Sequence, residues 1–214
     1  MYKELGKLIT IEGTEGVGKS TNITFIKNWF EIKGQSLLLT REPGGTPLAE
    51  EIRELLLAKR EEEVDAKCEL LLMYAARIQH ITQKIKPALD KGQWVLCDRF
   101  SDASFAYQGA GRALGLEKLV ELNQWVLEGF KPDLTILLDL PVEIGLSRAH
   151  QRGPVDRFEA EKLEFFEQVR QGYLRIAEQE PERVKIVDAS GSLTDVQQQI
   201  EQVLIKFYAQ QDSL

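Results

Sequence analysis

Five short apolar runs recur along the chain, at residues 8–11, 37–40, 94–97, 135–138 and 184–187. Each is nearly continuous in apolar residues, the pattern of a strand buried on both faces. Longer segments with apolar positions three or four apart lie between them and predict helices over 21–33, 47–59, 66–90, 116–127, 142–152, 160–178 and 193–208. Gly34 supplies a C-cap for the first helix, and Pro47 suits the opening turn of the second. Leu70, Leu71, Tyr74 and Ile78 mark one face of the third, which Pro87 ends or kinks. Trp125, Phe165 and Phe166 fall at helical spacing and read as core. Strand and helix alternating in this way predict an α/β fold, a five-stranded parallel sheet flanked by helices. The 214 residues fit one domain without repeats or linkers, and the final AQQDSL is expected to fray.

Composition narrows the partners. Hydrophobic residues make up 43% and charged residues 29%, as in a globular domain with a full core. The net charge of −7 argues against a broad basic footprint, so neither nucleic acid nor a membrane surface is an expected partner. Phosphate binding would have to come from a few concentrated cations. No stretch nears the ~20 apolar residues of a membrane span. MYKELGKLITIEG lacks a signal-peptide apolar region, and a cytoplasmic location is expected. Cys68 and Cys97 are expected as buried free thiols of a reducing compartment. With only His80 and His150, a histidine zinc site has little to work with.

The chemistry starts after the first strand. Gly13-Thr14-Glu15-Gly16-Val17-Gly18-Lys19-Ser20 fits G-x-x-x-x-G-K-[ST], with a strand before it and a helix after it. Glycines let backbone N–H groups curl around a polyphosphate, and the helix N-terminus adds its dipole. Lys19 would meet the β- and γ-phosphates, and Ser20 can ligate Mg²⁺; residues 13–21, through Thr21, form the expected nucleotide site. A switch GTPase would need N-K-x-D, which is absent, and Asp188-Ala-Ser-Gly191 comes too late in the chain to serve as D-x-x-G. A kinase is the reading that survives.

WVLCDRF ends a strand with Asp98 and Arg99. Asp98 suits the water shell of Mg²⁺ and Arg99 the cleft at the strands' carboxyl ends; the alternative is a surface salt bridge. REPGGT carries Arg41 and Glu42 from another strand end, unless it is only a connection. RAHQRGPVDRFE sets Arg148, Arg152 and Arg157 around a Gly-Pro break. That is either ordinary basic decoration of a helix end or a lid around 148–160 that closes over phosphate. So many cations exceed what one triphosphate needs and favour an acceptor that is itself a phosphate. Such an acceptor is already anionic and needs no general base.

The ordered set IEGTEGVGKST, TREPGGT, MYAAR, CDRF, AYQG, KPDLTILLD and RGPVDRFE resembles bacterial thymidylate kinase over nearly the whole chain. The resemblance implies a P-loop kinase fold, ATP as donor, dTMP as acceptor, Mg²⁺ as cofactor and a homodimer. It implies that Glu15 binds the 3′-hydroxyl and that Glu42 lies near the acceptor phosphate and its magnesium waters. Arg53 and Arg99 would hold the dTMP phosphate, Arg77 a thymine carbonyl, and Ser104 and Gln108 the pyrimidine edge. Tyr107 would pack on the sugar and crowd a 2′-hydroxyl. Gly16 stands where the eukaryotic-like branch carries an arginine, which shifts catalytic weight to Arg152 and Arg157. Three positions depart from the family pattern. Met73 replaces an aromatic and is expected to cover the base, Ala103 replaces a serine that Ser104 follows, and Phe105 replaces a polar residue. Arg53 and Arg77 also read as solvated helix positions, and Met73 and Tyr107 as core. The competing functions are a kinase for another monophosphate, a deoxynucleoside kinase with Glu42 as base, and a nucleotide-binding regulator without transfer.

Overall fold

The computed structural model describes residues 5–151 and 157–211. Five parallel strands, β1 (Leu8–Glu12), β2 (Leu37–Arg41), β3 (Trp94–Asp98), β4 (Leu134–Asp139) and β5 (Val184–Asp188), form one sheet in the order β2-β3-β1-β4-β5. β1 is fully buried and pairs with β3 on one side (Leu8 opposite Val95) and β4 on the other (Ile9 opposite Leu134). The strand order therefore reverses at the carboxyl end of β1, the place where open α/β sheets leave a crevice. All five strands match their predicted runs to within one residue at either end.

The helices are α1 (Lys19–Ile32), α2 (Pro47–Leu57), α3 (Ala66–His80), α4 (Lys86–Leu89), α5 (Ser101–Ser104), α6 (Leu116–Leu127), α7 (Val142–His150), α8 (Leu163–Gln179) and α9 (Leu193–Gln211). Strand residues alternate between two cores. Ile9 and Ile11 face α1 and α9 through Ile26, Phe30, Ile200 and Leu204. Leu8, Val95 and Cys97 face α3 and α6 through Leu70, Tyr74 and Leu119. The single predicted helix over 66–90 is α3, a π-helical turn at Ile81–Ile85, and α4. Lys86 N–H reaches back five residues to Ile81 O. The wider turn lets the chain run on through Pro87, whose ring and missing N–H would break an α-helical ladder.

Several expectations are corrected. Residues 101–111, assigned no element from the sequence, form α5 and a π-helical segment at Phe105–Gly111. This stretch is buried on most sides, so it lacks the polar stripe that marks a surface helix. It packs closely on α8, where a Cβ on Gly172 would lie 2.9 Å from Ala106 Cα. Cys68 is exposed, not buried, because it lies on the outer side of α3. Leu71 and Ile78 do not share the buried face of Leu70 and Tyr74; they are 59% and 37% exposed. Trp125, read as core, is 77% exposed on α6. Arg152 and the Gly153-Pro154 break of the expected lid, and the last three residues of the tail, lie outside the described residues.

Candidate active site

β1 ends at Glu12 and α1 begins at Lys19, so residues 13–18 make the turn between them. Gly18, at φ 93°, caps α1 without a side-chain bond, which leaves the helix's first N–H groups to the loop. Gly16, at φ 72°, meets α7: a Cβ there would fall 1.8 Å from Gly145 O. A Cβ on Gly145 would in turn fall 2.4 Å from Glu15 O. Thr14 and Val17 are buried and anchor the loop, Val17 in the α1 core. Lys19 Nζ donates to Thr14 O at 2.9 Å and Gly13 O at 3.2 Å, curling over the turn. Burial pushes the Lys19 ammonium below its ordinary pKa, as does the charge of Arg99, against Glu15 and Asp98. Ser20 lines the cleft beside it, whereas Thr21 sits on the exposed side of the same helical turn.

Arg99 leaves β3 with φ 68°, a left-handed conformation uncommon for a side-chain-bearing residue. Two bonds hold it there: Arg99 N donates to Ile11 O at 3.0 Å, and Phe100 N to Glu12 Oε1 at 2.6 Å. Its guanidinium then donates to Gly13 O (3.0 Å), Tyr173 Oη (3.1 Å) and Glu15 Oε1 (2.7 Å). Tyr107 donates to the same Glu15 oxygen at 2.9 Å and sets its ring 4.8 Å from the Arg99 guanidinium carbon. The loop, Arg99 and Tyr107 thus form one connected cluster. Asp98, one residue before Arg99, has a buried Oδ1 that no hydrogen-bond donor among the described residues reaches.

Glu12 lies beneath this cluster, with Oε2 2.7 Å from Tyr173 Oη. Burial, reinforced by Asp102, pushes its carboxyl up to about 8 from 4.5. The folded state therefore binds a proton between those values that the unfolded chain has released. Linkage makes stability fall as pH rises through the window, by roughly 1 kcal/mol per unit. Glu180, held near 2 by its hydrogen bonds from Arg183, acts only on the acid side of it. Urea unfolding at pH 5, 6.5 and 8 should show the decline, and Glu12→Gln should flatten it; an equal slope in both proteins refutes the buried proton.

The far side of the cleft holds the expected acceptor residues. Arg77 is buried and spends three of its five donors on protein, at Glu42 Oε2 (2.6 Å), Ser104 Oγ (3.0 Å) and Phe100 O (3.0 Å). It is no solvated helix end. Glu42 also lies 3.1 Å from His80 Nδ1 through its other oxygen, and His80 Nε2 is 2.6 Å from Thr40 Oγ1. Arg53 donates to Pro43 O at 2.9 Å and lines the cleft with Met73, Ser104, Tyr107 and Gln108. Met73 also packs into the core between α2 and α8.

Arg157 is not brought to the loop. Its Nε donates to Leu56 O at 2.8 Å, and Nη2 lies 2.7 Å from Glu69 Oε2. Arg148 reaches Ala189 O at 3.4 Å. Arg41, expected at the cleft, lines it and is paired to Glu50 at 2.8 Å. Three further residues belong to the site: Glu12, Tyr173 and Phe158, the last of which lines the cleft. Glu12 closes an apolar strand, and Tyr173 sits at core spacing on α8. Their contact spans 161 residues and has no local signature.

The family model for thymidylate kinase matches residues 11–200. A thymidylate kinase of Teredinibacter turnerae is 54% identical over 202 residues, which cover 94% of this chain and 98% of that protein. Those of Hahella chejuensis and Pseudomonas syringae pv. tomato are 54% and 55% identical, each over 93% of this chain and 96% and 95% of their own length. The likeness takes in the loop after β1, the Asp98-Arg99 strand end and the helices that carry Arg53, Arg77 and Gln108. This chain belongs to the thymidylate kinase family.

Proposed function

We propose that the protein transfers the γ-phosphoryl group of ATP to dTMP, giving dTDP and ADP on the route to dTTP, in the cytoplasm. The observation that carries this reading is the pairing of two cation sets across one cleft. Lys19 sits at the phosphate-binding turn, and Arg53, Arg77 and Arg99 line the remainder. Lys19 and the loop N–H groups take the donor's β- and γ-phosphates, while Arg53 and Arg99 take the acceptor phosphate. The acceptor oxygen is already anionic, so the residues supply position and charge neutralisation and no base. Both oxygens of Glu42 are engaged, by Arg77 and His80, which weighs against a nucleoside acceptor that would need it as base. Tyr107 and Glu15 meet the sugar, and Arg77, Ser104, Gln108 and Met73 the base.

Ser20 and Asp98 suit Mg²⁺. The unpartnered buried Asp98 Oδ1 fits a donor such as a metal-bound water. Mg²⁺ held by these two residues would supply positive charge to offset that of the phosphates. Arg157 would join the transferring phosphate on leaving Glu69, as a lid cation. α3 and α6 pack together and leave Leu71, Ile78, Val120 and Trp125 exposed, which supports a homodimer through this face.

The test is steady-state turnover with ATP, Mg²⁺ and a panel of acceptors. dTMP should lead, dUMP follow and dCMP trail, with thymidine unused. Phosphorylation of thymidine, or ATP binding without any diphosphate product, overturns the reading.

A further inference from the structure

Behind the cleft, and lining no part of it, lies Glu69, a carboxylate of α3 with no solvent exposure. Gln108 Nε2 donates to its Oε1 at 2.8 Å. Arg112 approaches both oxygens, at 3.4 and 3.3 Å, and Arg157 Nη2 lies 2.7 Å from Oε2. The Arg157 contact is an ion pair without an aligned N–H, since that nitrogen makes no hydrogen bond. Arg112, which also pairs with Glu161 at 2.7 Å, anchors the carboxylate, and Arg157 adds its charge for as long as it stays there. Phe158 and Phe165 back them, 4.4 Å from the Arg157 guanidinium carbon and 4.7 Å from that of Arg112.

This arrangement bears on Gln108. A carboxamide has two ends of nearly equal shape, one donating and one accepting, and its neighbours decide which way it turns. A carboxylate only accepts. Glu69 therefore requires the NH₂ end of Gln108, and the carbonyl oxygen becomes the end left for the cleft that Gln108 lines. A carbonyl oxygen can accept a proton from a ring N–H. It repels a ring nitrogen that presents a lone pair.

We infer that Glu69 is a positioning residue for base selection: it fixes the polarity of Gln108 so that the cleft takes a pyrimidine with a protonated N3 and rejects one without. The inference rests on the reading that Gln108 meets the base of a nucleoside monophosphate. Arg77, a donor only, selects at a neighbouring edge. Glu69 makes Gln108 its complement, so that donor and acceptor stand side by side. Thymine and uracil present the matching acceptor-donor pair at O4 and N3, and cytosine presents the reverse. The N3 half of the discrimination is thus set by a side chain that never touches the substrate.

The test compares dissociation constants for dTMP and dCMP by calorimetry. Glu69→Gln keeps the volume but can offer its own NH₂ group, which frees Gln108 to turn over. The dTMP preference should fall at least tenfold, with ATP affinity unchanged. Glu69→Asp, still acceptor-only, should retain the preference even where both affinities drop. A merely structural role would weaken both ligands together and leave their ratio intact. An unchanged ratio in Glu69→Gln, with a collapsed one in Gln108→Ala, overturns the role of Glu69. An unchanged ratio in Gln108→Ala overturns the underlying reading as well. A measurement on the unaltered protein does not depend on how the variants fold. The Gln108 NH₂ protons, identified by their loss in Gln108→Ala, should exchange slowly with solvent and shift little when dTMP binds. Solvent-rate exchange overturns the inference.

Discussion

Lys19→Ala is expected to lower kcat by about 10²–10³-fold or more while the protein stays folded. Among the described residues the Lys19 ammonium donates to the carbonyls of its own turn, Gly13 O and Thr14 O, so the core on either side of the sheet does not lean on it. Half-buried at the cleft wall, it acts more strongly on a phosphoryl group than a cation in open water. Charge on the transferring phosphoryl oxygens changes most between ground and transition state. The loss should therefore fall on kcat and less on the KM for ATP. Melting temperature and turnover measured on one preparation decide it. Near-normal turnover in a folded variant removes Lys19 from the chemistry.

Arg99→Ala should be the other severe change, acting at the acceptor end. The guanidinium is fixed on three sides by Gly13, Glu15 and Tyr173, and its backbone is held in the left-handed region by the Glu12 contact to Phe100. That pre-organisation lets it meet an acceptor phosphate without reordering. Its removal should cut kcat/KM for dTMP by about 10²–10⁴-fold, much of it through KM, and leave ATP binding within a few-fold. Arg99→Lys should restore little, because an ammonium lacks the planar fork that spans three partners. If ATP affinity collapses and that of dTMP does not, Arg99 serves the donor.

How much of this the sequence discloses depends on how local each signal is. β1, β3 and β4 are legible because both faces are buried and their apolar runs are nearly unbroken. The phosphate turn is legible because its glycines and lysine lie within eight residues. The segment from Ser101 to Gly111 is not, since it is short, glycine-rich and enclosed, and pattern-based reasoning needs a polar face to see a helix. Ser104, Tyr107 and Gln108 all sit on it, so their place in the cleft came from resemblance to the family and not from periodicity. Trp125 shows the opposite failure. An apolar side chain at helical spacing reads as core whether it faces its own sheet or stands open on the surface. Glu69 and Tyr173 act through partners far away in sequence, and nothing near them in the chain announces it.

The backbone contact between Gly16 and Gly145 also limits how this protein can change over evolutionary time. An arginine at position 16 cannot be fitted by one substitution, because its first carbon would overlap the Gly145 carbonyl. α7 would have to recede first, and that step alone confers no catalytic gain. Two changes are therefore needed in that order, and until α7 gives way a phosphate-directed cation has to come from other parts of the chain.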